Sequence, residues 1–267
     1  VQIYRDEAYF LIMGNCRARQ RTVEWFDEQR AAAAQKGLRV TFMDVSSAQG
    51  QFALFGPGST GLLERITFGQ RMTLDSGGAA VATIGTSRAL VIRRPVGMMD
   101  AVDLIAGSVF LAALWDKLME AARSSGARVV GAAAREILRV ESGIPMHGAE
   151  IDPDTTPLEL GLAVKVDMRK KKYAGRRALM HSTSIEFGRQ MVMLKMEQDR
   201  PVDYNAEVLC DSLPIGRVTS SVLSPVMRTR LALGFANAGK ALPGSRLLVA
   251  CADGQYCPAE IIKPGAR

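Results

Sequence analysis

From Met191 onward the chain is written in short β-type runs, and this texture constrains the fold more than any other feature. The runs are Met191 to Met196, Ala206 to Leu209, Leu213 to Thr219, Arg230 to Phe235 and Arg246 to Val249, separated by Asp, Asn, Gly and Pro at intervals near ten residues. Strands this short, turned back this often, bury their apolar faces against one another, so the pattern predicts a small antiparallel barrel or sandwich.

Upstream the periodicity is mixed. Ala8 to Gly14 is a short apolar run bounded by charge and glycine, which reads as a buried strand, and residues 18 to 36 read as a helix closed by Gly37. Arg39 to Val45 and Gln51 to Phe55 read as strands, as do Ala79 to Ile84 and Ala89 to Arg93. Gly56-Pro57-Gly58-Ser59-Thr60 lacks the spacing and the lysine of a phosphate-binding loop, so it is read as a turn, with Ser59 or Thr60 capping a helix over Gly61 to Ile66. Residues 108 to 124 carry apolar positions at helical spacing behind Ser108 as an N-cap, with Trp115 read as core packing. A further helix covers Gly131 to Glu141 and stops at Ser142-Gly143-Ile144-Pro145. Helices and strands ahead of a β-only tail give an α+β class. The basic run Arg169-Lys170-Lys171-Lys172 marks a boundary between residues 1–168 and residues 169–267.

Composition removes several function classes. Only His147 and His181 are available, far apart, so histidine-rich metal sites and histidine-based triads have little to draw on. Cys16, Cys210, Cys251 and Cys257 are too scattered for a disulfide framework, and the spacing of the last two is not that of a zinc ribbon; reduced thiols point to the cytoplasm. No apolar run reaches the roughly 18 residues that span a bilayer, so no membrane partner is expected. A net charge of +7 suits an anionic partner or a solvated basic surface, while aromatics at 6% offer no stacking platform, which disfavours nucleic acid.

Three stretches carry a family resemblance. Arg135-Glu136-Ile137-Leu138-Arg139-Val140-Glu141-Ser142-Gly143-Ile144-Pro145-Met146-His147-Gly148-Ala149-Glu150-Ile151-Asp152 is similar to "ARDxLRLEAGxxLYGxDID". It is followed at the same spacing by Thr156-Pro157-Leu158-Glu159-Leu160-Gly161-Leu162, similar to "TPLEAGL", and by Lys172-Tyr173-Ala174-Gly175-Arg176-Arg177-Ala178-Leu179, similar to "FIGREAL". Gly216-Arg217-Val218-Thr219-Ser220-Ser221-Val222-Leu223-Ser224-Pro225 with Leu231 to Phe235 resembles "IGxVTSGxxSPTLxxxIALAYV". These motifs belong to the tetrahydrofolate-dependent aminomethyltransferases, the family of the glycine cleavage T-protein, whose relatives include segments of sarcosine and dimethylglycine oxidising enzymes. Weaker echoes at Asp6 to Met13 and at Leu54 to Pro57 extend the resemblance nearly end to end.

The resemblance implies a folate-binding α/β domain, incomplete at its start, followed by a small C-terminal antiparallel β-barrel. It implies tetrahydrofolate as cofactor and transfer of a methyl or aminomethyl group from a small-molecule or protein-bound donor. The alternative is a non-catalytic subunit that keeps the fold as a scaffold. In the family, an aspartate on an early strand assists one-carbon release; no counterpart is found here, so a partner subunit supplying that part is an expectation. The family's pterin-gripping glutamate, in "RxGYTGExGFEI", falls on Met99, with Asp100 adjacent. Asp100 is therefore the candidate pterin contact and the catalytic candidate, while Arg135 and Arg228 are candidates for the anionic part of folate. The iron–sulfur assembly mark "KGCYxGQE" is replaced by Lys171 to Arg177, which disfavours that branch.

Overall fold

A computed structural model describes residues 2–5, 8–67, 74–94, 100–162, 166–184 and 188–264. The chain divides into two compact units, residues 1–129 and residues 130–267. Among the described residues no helix is long and apolar enough to cross a membrane.

The first unit begins with strands β1 (Gln2–Arg5) and β2 (Phe10–Met13), an antiparallel pair, followed by helix α1 (Arg19–Ala34). The β1 strand adds to the expected elements. Residues 39–45, expected as a strand, form none. They are held by side chains instead of a ladder. Phe42 stacks on Phe26 of α1 with ring centroids 5.0 Å apart, and the Asp44 carboxylate accepts from Arg19 Nε at 2.9 Å and from Ser46.

The core of this unit is a four-stranded antiparallel sheet in the order β3-β6-β5-β4, where β3 is Gln49–Phe55, β4 Ala79–Ile84, β5 Ser87–Arg93 and β6 Ala101–Gly107. Helices α2 (Ser59–Ile66) and α3 (Leu111–Ser125) cover one face. Leu62, Leu63 and Ile66 recur at helical spacing on α2, as do Leu114 and Leu118 on α3. They meet Val102, Leu104 and Ala106, the alternate residues of β6. Strand β6, absent from the expected elements, is buried along nearly its whole length and so shows no polar alternation. Two expected caps are absent. Ser59 and Thr60 lie inside α2, whose N-cap is Gly58, and Ser108 lies in a short 3₁₀ turn ahead of α3. The Trp115 ring leans on Phe52 at 5.6 Å but stays partly exposed, so its packing is one-sided.

The second unit begins with α4 (Ala132–Glu141) and includes α5 (Arg176–Ser184), a helix the periodicity did not reveal. The expected β-only tail closes into a six-stranded antiparallel barrel in the order β10-β7-β12-β11-β8-β9. Its strands are β7 (Gln190–Met196), β8 (Glu207–Cys210), β9 (Leu213–Ser224), β10 (Thr229–Ala236), β11 (Arg246–Ala250) and β12 (Tyr256–Ile262). Alternation sorts the two faces. Val192, Leu194 and Met196 of β7 point into the barrel with Val208, Val218, Val249 and Ile261, while Met193 points outward. There it joins Val222, Leu231 and Leu233 in a second cluster that seats Val140 of α4.

Closure depends on two glycines. A Cβ at Gly216 would strike the carbonyl of Phe235, and one at Gly234 would strike the carbonyl of Arg217, beside the bulge that interrupts the β9–β10 ladder between Leu233 and Gly234.

Candidate functional site

Asp100 stands at the entry to β6, the strand that pairs antiparallel with β5. Its backbone carbonyl accepts from Gly56 N–H at 2.8 Å, tying it to the turn ahead of α2. One carboxylate oxygen accepts from Arg93 Nε at 3.1 Å and the other from Thr60 Oγ1 at 3.0 Å, and Arg93 is anchored in turn on the Leu74 carbonyl at 3.0 Å. The Arg93 hydrogen bond holds the Asp100 carboxyl below the usual carboxylate range; slight burial opposes it, and Thr60 and the Ala101 N–H reinforce it. The group is thus an ionised acceptor with 24% of its side chain exposed. With Arg93, Thr60 and the Ala101 N–H already on it, the carboxylate keeps about one of its roughly four acceptor positions for a further donor. Met99 lies outside the described residues.

Three residues further along β6, on the face away from α2 and α3, Asp103 is fully buried. It is paired bidentately with Arg94, Nε to Oδ2 at 2.7 Å and Nη2 to Oδ1 at 3.2 Å. Burial, and next the charge of Asp103, raise the pKa of the Tyr4 phenol above its ordinary value, with Arg94 opposing. Sequence reasoning passed over this pair. Its signal was an acidic residue within the otherwise apolar stretch Ala101 to Gly107, with two arginines nine and ten residues before it.

In the second unit the motif Arg135 to Asp152 folds into α4 and a compact loop, and its residues Glu136, Arg139 and Glu150 make one network. The Arg139 guanidinium donates to Glu150 Oε2 at 3.0 Å, to Ser220 Oγ at 2.6 Å, to the Ile144 carbonyl at 3.3 Å and to both oxygens of Glu136. Glu150 also accepts from Thr219 Oγ1 at 2.6 Å, Ser220 Oγ at 2.7 Å and the Met146 N–H at 3.0 Å. Ser220 and Thr219 belong to β9, so the network pins the exit of α4 to the barrel wall. The turns that follow need left-handed backbone at Gly143, Gly148 and Gly161, with φ of 64°, 88° and 70°.

The next motif uses its own devices. Thr156 and Glu159 cap each other, with the Thr156 N–H on Glu159 Oε2 at 2.6 Å and the Glu159 N–H on Thr156 Oγ1 at 3.3 Å. Arg189 donates to Glu159 Oε1 at 2.8 Å and lies 4.6 Å over the Phe235 ring.

Arg135 and Arg228 are not brought together. Arg135 is exposed on the first turn of α4, and Arg228 is exposed at the β9–β10 turn with φ of 51°. Along α4, Arg139 meets Ser220 and Glu141 meets Ser224, so the helix runs toward the turn that carries Arg228. Arg135 lies about one turn, roughly 6 Å, back from Arg139 in the opposite direction.

These motif geometries match known proteins in the same order. Residues 1–170 match the model of the GCVT N-terminal domain, and residues 189–265 match that of the glycine cleavage T-protein C-terminal barrel domain. The chain belongs to the glycine cleavage T-protein family. The aminomethyltransferase of Moorella thermoacetica is 29% identical over 262 residues, covering 97% of this chain and 69% of that protein. That of Alkaliphilus metalliredigens is 28% identical over 257 residues, covering 91% and 65%. The crystal structure of glycine cleavage system aminomethyltransferase T from Bartonella henselae superposes with a TM-score of 0.72 at 24% identity, over 81% of this chain and 59% of that one, and shares the fold. The chain thus spans about two-thirds of the length of these curated relatives. The T-protein family uses tetrahydrofolate as its folate substrate.

Proposed function

We propose that this chain takes part in tetrahydrofolate-dependent transfer of a one-carbon unit, methyl or aminomethyl, from an amine or other methylated donor to folate, as a subunit or segment of a larger enzyme. The observation that carries the reading is Asp100. It is the one carboxylate in the sequence of the pterin motif between Arg93 and Ala101, and it is held ionised and oriented by Arg93 and Thr60. In this reading residues 1–168 form the folate-binding part and residues 169–267 the linker and barrel, and the cytoplasm is the compartment, consistent with four free thiols.

Folate supplies the nucleophilic nitrogen that receives the carbon. This chain's part is to bind and orient. Asp100 accepts from the pterin edge, and its prior bonds to Arg93 and Thr60 remove the rotamer freedom that binding would otherwise freeze. Arg135 and Arg228 serve the anionic part of folate. One feature favours the second reading, a scaffold without chemistry: the same two bonds also make Asp100 a structural clasp between α2 and the sheet.

Calorimetric titration with tetrahydrofolate, followed in parallel by Trp25 and Trp115 fluorescence, separates the two. Transferase function predicts saturable binding that Asp100→Ala weakens roughly tenfold or more, as loss of a charge-assisted bond should. No heat up to about 1 mM ligand would leave the scaffold reading standing. Binding that Asp100→Ala leaves unchanged would remove the assigned pterin contact.

A further inference from the structure

The helix layer over the four-stranded sheet of the first unit leaves one edge unfinished. The edges are β3 and β4, and neither carries the lysine, proline or inward charge that usually blunts an exposed edge. They differ in cover. On the helix side of β4, Ala82 and Ile84 are buried, whereas Gly50, Phe52 and Leu54 of β3 stay half-exposed. Among the described residues β3 pairs only with β6, so the N–H and C=O groups along its outer side meet no strand there.

Helix α3 runs along this edge. A Cβ on Gly50 would strike Leu111, and one turn on, the Trp115 ring rests on Phe52, two residues further along β3. Leu111, Leu114, Leu118 and Ala121 face the sheet. Helix α2 lies against one flank of α3, where Arg65 donates to Ser124 Oγ at 2.9 Å. The opposite flank carries a second apolar stripe at helical spacing, Ala112, Trp115, Met119 and Ala122, which is exposed or half-exposed. Val109 and Phe110, just ahead of the helix, extend it with 84% and 42% of their surface exposed. The apolar arc of α3 is therefore wider than its sheet contact uses, and the spare part faces outward on the β3 side.

We propose that a second copy of the chain docks here, β3 pairing antiparallel with its own counterpart across a two-fold axis normal to the sheet. Such an axis joins the two sheets into one and sets the two α3 helices antiparallel over the seam, apolar stripe to apolar stripe. Helix axes pack about 8–10 Å apart, roughly two strand spacings, so both helices fit over the joined edges. Charge argues for a second copy as the occupant, because a two-fold interface requires a surface complementary to itself. Strand β3, Gln49–Phe55, brings no charge that would repel its own copy. Bordering the stripe on the side away from the sheet, the exposed Asp116 and Arg123 stand about two turns apart with opposite signs. In antiparallel helices each faces the other's opposite, so the same two residues close an ion pair at both ends of the seam. A foreign strand would satisfy the edge and leave this matched row unused. The inference is independent of the folate reading.

Sedimentation velocity of the whole chain, from about 1 to 200 µM, tests the proposal. The expected result is a concentration-dependent shift from one chain to two. Asp116→Arg should weaken association roughly tenfold or more, because it turns both rim pairs into repulsions, while Asp116→Arg combined with Arg123→Asp should restore it. A fold defect would not produce that recovery, since both side chains are exposed. Trp115→Ala should weaken the dimer roughly tenfold, as should Ala53→Lys on the exposed face of the edge strand, with far-UV circular dichroism unchanged. Val81→Lys, the corresponding change on edge strand β4, should leave the dimer intact. A chain that stays single up to about 200 µM, a double charge reversal that fails to recover, or a loss on Val81→Lys with none on Ala53→Lys would each overturn the proposal.

Discussion

Arg139 and Glu150 form an ion pair of 3.0 Å in which the carboxylate is fully buried and every remaining acceptor position meets a hydroxyl or a backbone N–H. Without Arg139 the Glu150 carboxylate would be an uncompensated charge in a dry interior, whereas Arg139 without Glu150 would keep its pairing to Glu136.

Glu150→Ala should cost about 2–4 kcal/mol, far more than a truncation of the same size on the surface, because it leaves Arg139 with Glu136 alone and takes the acceptor from Thr219, Ser220 and the Met146 N–H. Replacing both partners together, Arg139→Met with Glu150→Leu, should cost less than Glu150→Ala alone. Urea unfolding of the barrel unit within the whole chain, read by far-UV circular dichroism, gives both numbers. A double variant less stable than the single would contradict the account.

Glu159 gives a pH dependence with a definite sign. Burial pushes its carboxyl up, but the Arg189 guanidinium and the two bonds from Thr156 outweigh burial, and the folded pKa lies below the ordinary value. A depressed folded pKa contributes stability that is present above the unfolded value near 4.3 and is lost as pH falls through the folded value. Acid denaturation profiles should show this: Glu159→Gln should be less stable than the natural chain at pH 7, and the difference should shrink toward pH 3. A gap that stays constant with pH would mean that the side chain acts only by shape.

How much of this was legible in the sequence depended on whether a residue's partner was near in the chain. The barrel was readable because its strands neighbour one another and their turns carry Gly, Asn and Asp. The stop at Gly143 was readable because a left-handed residue after a helix favours glycine. The strand expected at Arg39 to Val45 was not formed, because an apolar run becomes a strand only when another strand accepts its ladder, and here Phe42 found the ring of Phe26 instead. Helix α5 was hidden by its polar start, Arg176-Arg177, within a basic run that reads as linker. The Asp100 clasp joins Thr60 to a carboxylate 40 residues away, and no local pattern announces such a pair.

Tyr4 offers an alkaline counterpart to Glu159. Its phenol is held neutral by burial first and by the charge of Asp103 second, so its folded pKa lies above the unfolded value near 10. A raised pKa contributes stability that is fully present below the unfolded value and is lost as pH rises through the folded one. Tyr4→Phe should consequently flatten the fall in stability above about pH 10. Urea midpoints taken from pH 8 upward would settle the point, and an unchanged slope would show that the phenol titrates freely.

The glycines at the β9–β10 bulge make a prediction that separates backbone crowding from side-chain chemistry. At Gly234 a methyl group would enter the space of the Arg217 carbonyl and the Val218 Cα, and backbone atoms cannot swing aside as a side chain can. Gly234→Ala should thus cost about 1–3 kcal/mol or more by overpacking, although alanine is otherwise the mildest of substitutions. By contrast Gly244, with φ of 89° and open space where a Cβ would sit, should tolerate asparagine with a loss well under 1 kcal/mol, since the penalty there is conformational only. Thermal melts of the two variants side by side give the comparison. If Gly234→Ala melts with the natural chain, the barrel wall has room that the close approach of β9 and β10 denies, and the closure of the six strands must rest on something other than that contact.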